Sequence, residues 1–164
     1  MKKIILGVLL LLPISVMAQE EEKNYPVGKV ERKILFSSRN KETFLPEYEN
    51  YTPDEASVKI IKEYRNKIKI KIVMGFWCDD SKVHVPRMLK ILDMAKWDAE
   101  SDEHLKIFGV DENKQAGFEG FKALAITNVP TFIVYYNDME IGRIVENPKV
   151  SLEKDLVEIL KAIK

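Results

Sequence analysis

The transition from a buried strand to a helix at Cys78 is the feature that most constrains the fold. Ile68, Ile70 and Ile72 alternate with lysines, and residues 73–76 continue without a charged side chain. This change predicts a strand that is half buried at its start and fully buried at its end. Beyond Cys78, apolar residues recur at helical spacing. We therefore expect a central strand that leads directly into a helix.

The helix before this strand begins with a second local signal. Thr52, Pro53 and Glu55 form a capping box, in which the Thr52 hydroxyl accepts a hydrogen bond from the backbone N–H of Glu55. Pro53 then occupies the first helical position, where a missing N–H costs nothing. The pattern predicts a helix that ends near Asn66 and, further upstream, a strand over residues 30–36.

The second half of the chain continues to alternate strand and helix patterns. They are a buried strand over 105–110, helix and loop over 112–126, a hairpin of strands 131–136 and 139–145 around Asn137-Asp138, and a final helix capped by Ser151. This order predicts an α/β fold, with a central mixed sheet and helices on both faces.

The first 18 residues have the pattern of a signal peptide. Lys2 and Lys3 precede an apolar run over residues 4–12, and small or tolerated side chains up to Ala18 suit a signal peptidase. The run is shorter than the roughly 20 residues that a membrane-spanning helix needs, so we expect no retained anchor. The protein is therefore predicted to be exported, either periplasmic or secreted, after cleavage near Ala18.

The sequence patterns divide the chain into three segments, and its composition gives a charge balance and a cysteine count. We predict a signal peptide over residues 1–18, an N-terminal extension over 19–51 and one folded domain over 52–164. The chain has 26 basic and 26 acidic residues, and this balance gives no reason to expect nucleic acid as a partner. A single cysteine excludes an internal disulfide and a multi-thiolate metal site, so we expect neither a metal nor a cofactor.

Three motifs follow one another in an informative order. The run Trp77-Cys78-Asp79-Asp80-Ser81 follows the central strand, Pro86 lies eight residues after Cys78, and Asn128-Val129-Pro130-Thr131 precedes the predicted hairpin. Together they resemble the thioredoxin superfamily, in which Trp-Cys-x-x-Cys, a helix-kinking proline and a cis-proline loop occupy these places. The resemblance covers about residues 52–164 and implies a thioredoxin-like fold with a cis Pro130.

The resemblance also implies which residues form the site. Cys78 is the predicted attacking thiol, and Trp77, Val129 and Pro130 are the predicted substrate-binding residues, with the Val129 backbone offered to an extended chain. Ser81 stands where the superfamily has its second cysteine. A mixed disulfide on Cys78 must therefore wait for an external thiol.

Elementary electrostatics predicts a mildly activated thiol. The start of a helix favours the thiolate, and the Ser81 hydroxyl, the second predicted catalytic group, can donate a hydrogen bond to it. Asp79 and Asp80 oppose this, because neighbouring negative charge disfavours a second anion. His84 falls away from the cysteine's face of the helix, so we expect it to be exposed.

These features predict an extracytoplasmic monothiol protein that acts in thiol–disulfide exchange. Its partners would be a protein or small-molecule thiol or disulfide and an external reducing thiol, which suits isomerase-like or deglutathionylation-like chemistry. One alternative is a redox-inactive binding module with a thioredoxin fold that holds an extended peptide or a partner protein. Another is a homodimer linked through Cys78.

Overall fold

The computed structural model of the protein describes residues 25–98 and 103–163, so the predicted signal peptide lies outside the described residues. The elements in chain order are β1 (Gly28–Val30), α1 (Arg32–Leu35), α2 (Lys41–Asn50), α3 (Glu55–Tyr64), β2 (Ile68–Met74), α4 (Asp79–Met94), β3 (Leu105–Gly109), β4 (Thr131–Tyr136), β5 (Met139–Val145) and α5 (Leu152–Leu160). A 3-10 helix spans Phe121–Leu124.

The five strands form one mixed sheet in the order β1-β3-β2-β4-β5. The central strand β2 pairs in parallel with β3 and antiparallel with β4, so Ile72 lies between Ile107 and Phe132. Strands β1 and β5 form the edges. The predicted α/β fold with a central mixed sheet and helices is confirmed.

Alternation along β2 divides the core into two parts. Ile68, Ile70 and Ile72 join one cluster, to which helices α1 to α5 all contribute buried side chains. Val73 points to the opposite face, where it packs with the 3-10 helix residue Phe121. The second cluster is the smaller one, and Cys78 packs against it.

The predicted transition from strand to helix is present. β2 ends at Met74, and α4 begins at Asp79 with Cys78 as its N-cap residue. Pro86 lies inside α4 and is buried. No helix within residues 25–98 and 103–163 has both the length and the apolar character that crossing a bilayer requires.

The start of α3 differs from the prediction. Asp54, rather than Thr52, is the N-cap residue, and its carboxylate accepts hydrogen bonds from the backbone N–H (2.9 Å) and the hydroxyl (2.7 Å) of Ser57. The predicted capping box at Thr52 is therefore wrong. Asp54 makes the cap two residues later because a carboxylate is an equally good N-cap group and α3 itself begins at Glu55.

The predicted strand over residues 30–36 is also wrong beyond its first residue. β1 ends at Val30, and the chain then turns into the short helix α1. Arg32 on α1 forms a salt bridge with Asp93 of α4, and the Tyr48 hydroxyl donates to the same carboxylate at 2.5 Å. This ion pair joins positions 61 residues apart, so no local pattern could predict it.

Residues 25–51, predicted as part of an extension before the domain, contribute to the same sheet and core. β1 pairs with β3, and the Phe44 ring of α2 packs edge-to-face on Phe76 at 5.7 Å. Phe76 lies two residues before Cys78, so this segment supports the end of the central strand.

Two local predictions in the C-terminal half are confirmed. Asn137 and Asp138 both have positive φ, +49° and +60°, as a two-residue turn between β4 and β5 requires. The Ser151 hydroxyl accepts a hydrogen bond from the backbone N–H of Lys154 at the start of α5. Of the helix and loop predicted over 112–126, the structure contains the four-residue 3-10 helix.

Gly109→Ala tests whether residues 25–30 belong to the folded unit. A Cβ at position 109 would lie 2.1 Å from the Pro26 carbonyl oxygen, so the edge strand must move. We expect a loss of about 1–3 kcal/mol in the free energy of unfolding, measured by urea denaturation. Lys106→Ala, at an exposed position on the same strand, is the control and should cost less than about 0.5 kcal/mol. An unchanged urea midpoint for Gly109→Ala would show that β1 contributes nothing to the fold.

Candidate functional site

Cys78 occupies the N-cap position of α4. Its backbone is extended, with φ −83° and ψ 125°, and its side chain makes no capping hydrogen bond. The residue is partly exposed, and its thiol donates to the Val129 carbonyl oxygen with an Sγ–O distance of 3.2 Å. The helix start and the loop before β4 therefore meet at the sulfur.

The loop that meets the sulfur is tied at several points. The Val129–Pro130 peptide bond is cis. The Thr131 hydroxyl donates to the Asn128 carbonyl at 2.6 Å, and the Glu146 N–H donates to the Pro130 carbonyl at 2.7 Å. Val129 is buried as a whole residue, and its carbonyl oxygen is the atom that accepts from the thiol.

The Trp77 side chain, next to Cys78 in the chain, is fixed by contacts of its own. Its indole N–H donates to the Val110 carbonyl at 3.1 Å, and the ring lies so close to Gly75 that a Cβ there would be 2.6 Å from it. Trp77 and Cys78 both pack against the second core cluster around Val73. Of the predicted site residues, Trp77, Cys78, Val129 and Pro130 therefore lie together.

Ser81 has a different environment from the predicted one. It is fully buried, and its hydroxyl oxygen accepts a hydrogen bond from the Gly75 N–H at 3.2 Å. The Cys78 thiol bonds instead to Val129, so the two side chains predicted to interact bond to different backbone groups. Ser81 links the end of β2 to the first turn of α4.

The charges next to Cys78 differ in exposure. The Asp79 side chain is 93% exposed and pairs with Lys82, whose hydrogen bond lowers the pKa of the Asp79 carboxyl. Asp80 is half-buried at the second helical position. An N-cap side chain reaches the N–H groups of the second and third helical residues, here Asp80 and Ser81. The thiolate thus has two backbone donors nearby and one carboxylate that opposes it.

His84 is not exposed, so that prediction is wrong. The residue is 8% exposed, and its Nε2 lies 2.9 Å from the side-chain oxygen of Asn147. The reason is that the loop after β5 covers this face of α4. The sequence patterns did not identify Glu146 and Asn147 as neighbours of the site, and their position directly after the last predicted strand was the local signal available.

A cleft of about 320 Å³ lies apart from Cys78, between β5 and α5, and is lined by Arg143, Asn147 and Ile159, among others. In the part of the chain that the structure describes, no group of three or more His, Cys, Asp or Glu side chains is arranged to hold a metal ion. The chemistry available here is that of one accessible sulfur beside a backbone carbonyl.

A family model described as thioredoxin matches residues 29–160. The chain belongs to the thioredoxin family. The match begins before the domain boundary predicted at residue 52 and includes β1, in agreement with the position of that strand in the sheet. No curated protein matches the chain in sequence.

Solved structures are similar to this thioredoxin-family chain in fold alone. A protein of unknown function from Pseudomonas aeruginosa is 13% identical, with 77% of this chain and 84% of that chain covered and a TM-score of 0.53. A thioredoxin from Fasciola hepatica is 18% identical over 65% and 89% of the chains, with a TM-score of 0.41. Thioredoxin f2 from Chlamydomonas reinhardtii is 20% identical over 75% and 92%, also at 0.41.

Ser81→Ala should affect stability and leave the reactivity of the thiol unchanged. It removes the acceptor for the buried Gly75 N–H, so we expect a loss of about 1–3 kcal/mol in the free energy of unfolding. The rate of Cys78 alkylation by iodoacetamide should stay within about twofold of wild type, because Ser81 bonds to the backbone. Ser151→Ala, which removes a capping hydroxyl from α5, is the matched control. A large fall in alkylation without a stability loss would instead assign Ser81 to the thiolate.

Asp80→Asn should accelerate alkylation of Cys78. Between neighbouring side chains in water, a unit charge is worth about 0.5–1 kcal/mol, so removing it should favour the thiolate by about two- to fivefold at neutral pH. Asp98→Asn, beyond the other end of α4, is the control and should leave the rate unchanged. Equal rates for Asp80→Asn and wild type at low ionic strength would show that this carboxylate does not act on the sulfur.

Proposed function

We propose that this thioredoxin-family protein carries out thiol–disulfide exchange through Cys78 as its single attacking sulfur, outside the cytoplasm. The observation that carries the proposal is the position of the thiol. It is partly exposed at the N-cap of α4 and lies 3.2 Å from the Val129 carbonyl. At this position the helix start favours the thiolate, and a backbone group lies beside the sulfur to which an incoming chain can bond.

The exchange is a displacement at sulfur. The Cys78 thiolate attacks one sulfur of a disulfide, a new S–S bond forms, and the other sulfur leaves as a thiolate. Cys78 is oxidised to the mixed disulfide while the leaving half is reduced. The chain has one cysteine, so release requires an external thiol. Its thiolate attacks the substrate sulfur of the mixed disulfide, a disulfide forms between the external thiol and the substrate, and Cys78 leaves as the thiolate.

The helix start supplies the stabilisation that the predicted Ser81 contact does not. When the thiol loses its proton, its hydrogen bond to the Val129 carbonyl is lost as well. The sulfur is then free to accept from the N–H groups of Asp80 and Ser81, as an N-cap side chain does. The positive end of the helix dipole adds typically about 0.3–1 kcal/mol for an exposed anion.

Substrate binding falls to the surface around the sulfur. Trp77 forms one wall, and the partly buried apolar side chains of Leu124 and Ile126 pack against the same cluster as Cys78. The Val129 backbone adds a hydrogen-bonding group next to the reacting atom. These groups suit an extended polypeptide with an apolar residue near its cysteine, because strand-like binding combines main-chain bonds with side-chain contacts.

Export is the second part of the proposal. It is supported by the basic start, the apolar run and the small residues near Ala18. A compartment where disulfides persist would provide both the oxidised substrates and a reason to keep a single attacking thiol.

The absence of a second cysteine makes the protein a natural trap, which gives a direct test. C-terminally tagged protein recovered from its native compartment after acid quenching should show adducts on a non-reducing gel. These bands should disappear with reductant and in Cys78→Ser, which is the matched control. A band at twice the monomer mass alone would instead favour the homodimer linked through Cys78, and no band at all would contradict the exchange function.

One observation favours a redox-inactive binding module as the second candidate. The thiol donates to a neutral carbonyl, and such a bond stabilises the protonated, unreactive form. A binding module predicts that Cys78→Ser leaves capture of an extended peptide or partner protein unchanged. The exchange function predicts that the same variant loses every reductant-sensitive complex, so one variant separates the two.

A further inference from the structure

Glu146, the residue after β5, has an unusual backbone conformation. Its φ is +56°, in the left-handed region that glycine adopts without strain and other residues adopt at a cost. The position therefore has a glutamate where the backbone alone would favour glycine. An outlier of this kind calls for a reason in what the side chain does.

The side chain of Glu146 binds the loop beside the sulfur. Its Oε2 accepts a hydrogen bond from the Asn128 side-chain amide at 2.9 Å, and its backbone N–H donates to the Pro130 carbonyl at 2.7 Å. One residue thus holds both neighbours of Val129, whose carbonyl receives the Cys78 thiol. A glycine would keep the backbone N–H that donates to Pro130 and would lose the carboxylate that accepts from Asn128.

The next residue connects the same loop to the helix that starts at Cys78. The Asn147 side-chain oxygen is 2.9 Å from Nε2 of His84, which is buried on α4. The Asn147 amide and the His84 ring are therefore hydrogen-bond partners. Glu146 and Asn147 together therefore bridge the Val129 loop and α4, the two parts that must stay aligned if substrate backbone and sulfur are to meet.

We infer that Glu146 is a positioning residue for thiol–disulfide exchange. Its carboxylate holds Asn128, and through it the Val129 backbone, at the distance from Cys78 that an extended substrate requires. Glu146 acts through this loop and not on the substrate. The inference rests on the proposed function, and it explains why a strained backbone position has a charged side chain.

The test separates strain from function. Glu146→Gly relieves the backbone strain and removes the carboxylate, whereas Glu146→Gln keeps an oxygen that can accept from Asn128. Lys96→Gly is the matched control, since Lys96 is exposed, has φ +58° and lies at the far end of α4. The probe is a short uncharged peptide whose single cysteine is a mixed disulfide with thionitrobenzoate. Attack by Cys78 forms the protein–peptide disulfide and releases the coloured thiolate.

We expect Glu146→Gly to unfold at the wild-type urea midpoint or above it, as Lys96→Gly should. Its exchange rate with the peptide should nevertheless fall by about tenfold, because the loop has lost a hydrogen bond to a charged group. Glu146→Gln should stay within about threefold of wild type. Alkylation by iodoacetamide should not fall in any of the four proteins, because a displaced Val129 carbonyl would only lose the hydrogen bond that favours the protonated thiol. The inference would be overturned if Glu146→Gly exchanged with the peptide at the wild-type rate, or if a slower exchange rate came with a lower urea midpoint.

Hydrogen exchange keeps the inference testable if the proposed function fails. In that case reaction with the activated peptide disulfide would have no functional meaning, whereas the hydrogen bonds around the loop can still be measured. Glu146→Gly should lower the protection of the amide at position 146, which donates to Pro130, by about tenfold. Lys96→Gly should leave it unchanged. Equal protection of this amide in wild type and Glu146→Gly would show that the carboxylate does not hold the loop.

Discussion

The pairing of β2 on both sides is the constraint on which the site depends. β2 bonds to β3 and β4 along its length, and its side chains enter both core clusters, so its end at Met74 has little freedom. Cys78 follows four residues later, at the first position where the chain turns into α4. Because β4 is the neighbour of β2 and starts directly after Pro130, the same pairing brings the Val129 carbonyl to the sulfur.

The Ser81 hydroxyl has a structural use. Ser81 is fully buried and accepts from the Gly75 N–H, so it closes the gap between the end of the strand and the first turn of the helix. A buried N–H without a partner is costly, which gives this position a reason for a hydroxyl that is independent of redox chemistry. The Cys78 sulfur bonds to the Val129 carbonyl, while Ser81 bonds to Gly75.

How well the sequence predicted each feature depended on how local its cause is. The β2 pattern, the Asn137-Asp138 turn and the Ser151 cap were predicted because each depends on a few adjacent residues. The strand predicted from residue 30 failed because Arg32 pairs with a carboxylate of a distant helix. The cap predicted at Thr52 was wrong for a different reason. Two good capping groups lie two residues apart, and α3 begins directly after the second of them, Asp54.

The sequence by itself determined that one sulfur lies between a buried strand and a helix, with a Val-Pro loop before a hairpin. Side-chain period and turn chemistry are local, and the count of cysteines is a property of the sequence that needs no tertiary contact. Only the tertiary structure decided that Val129, 51 residues away, accepts from Cys78, that Ser81 turns to Gly75, and that His84 is covered by Asn147. Each of these contacts joins elements whose order in the sheet is set by packing of the whole core, and no short stretch of sequence records that order.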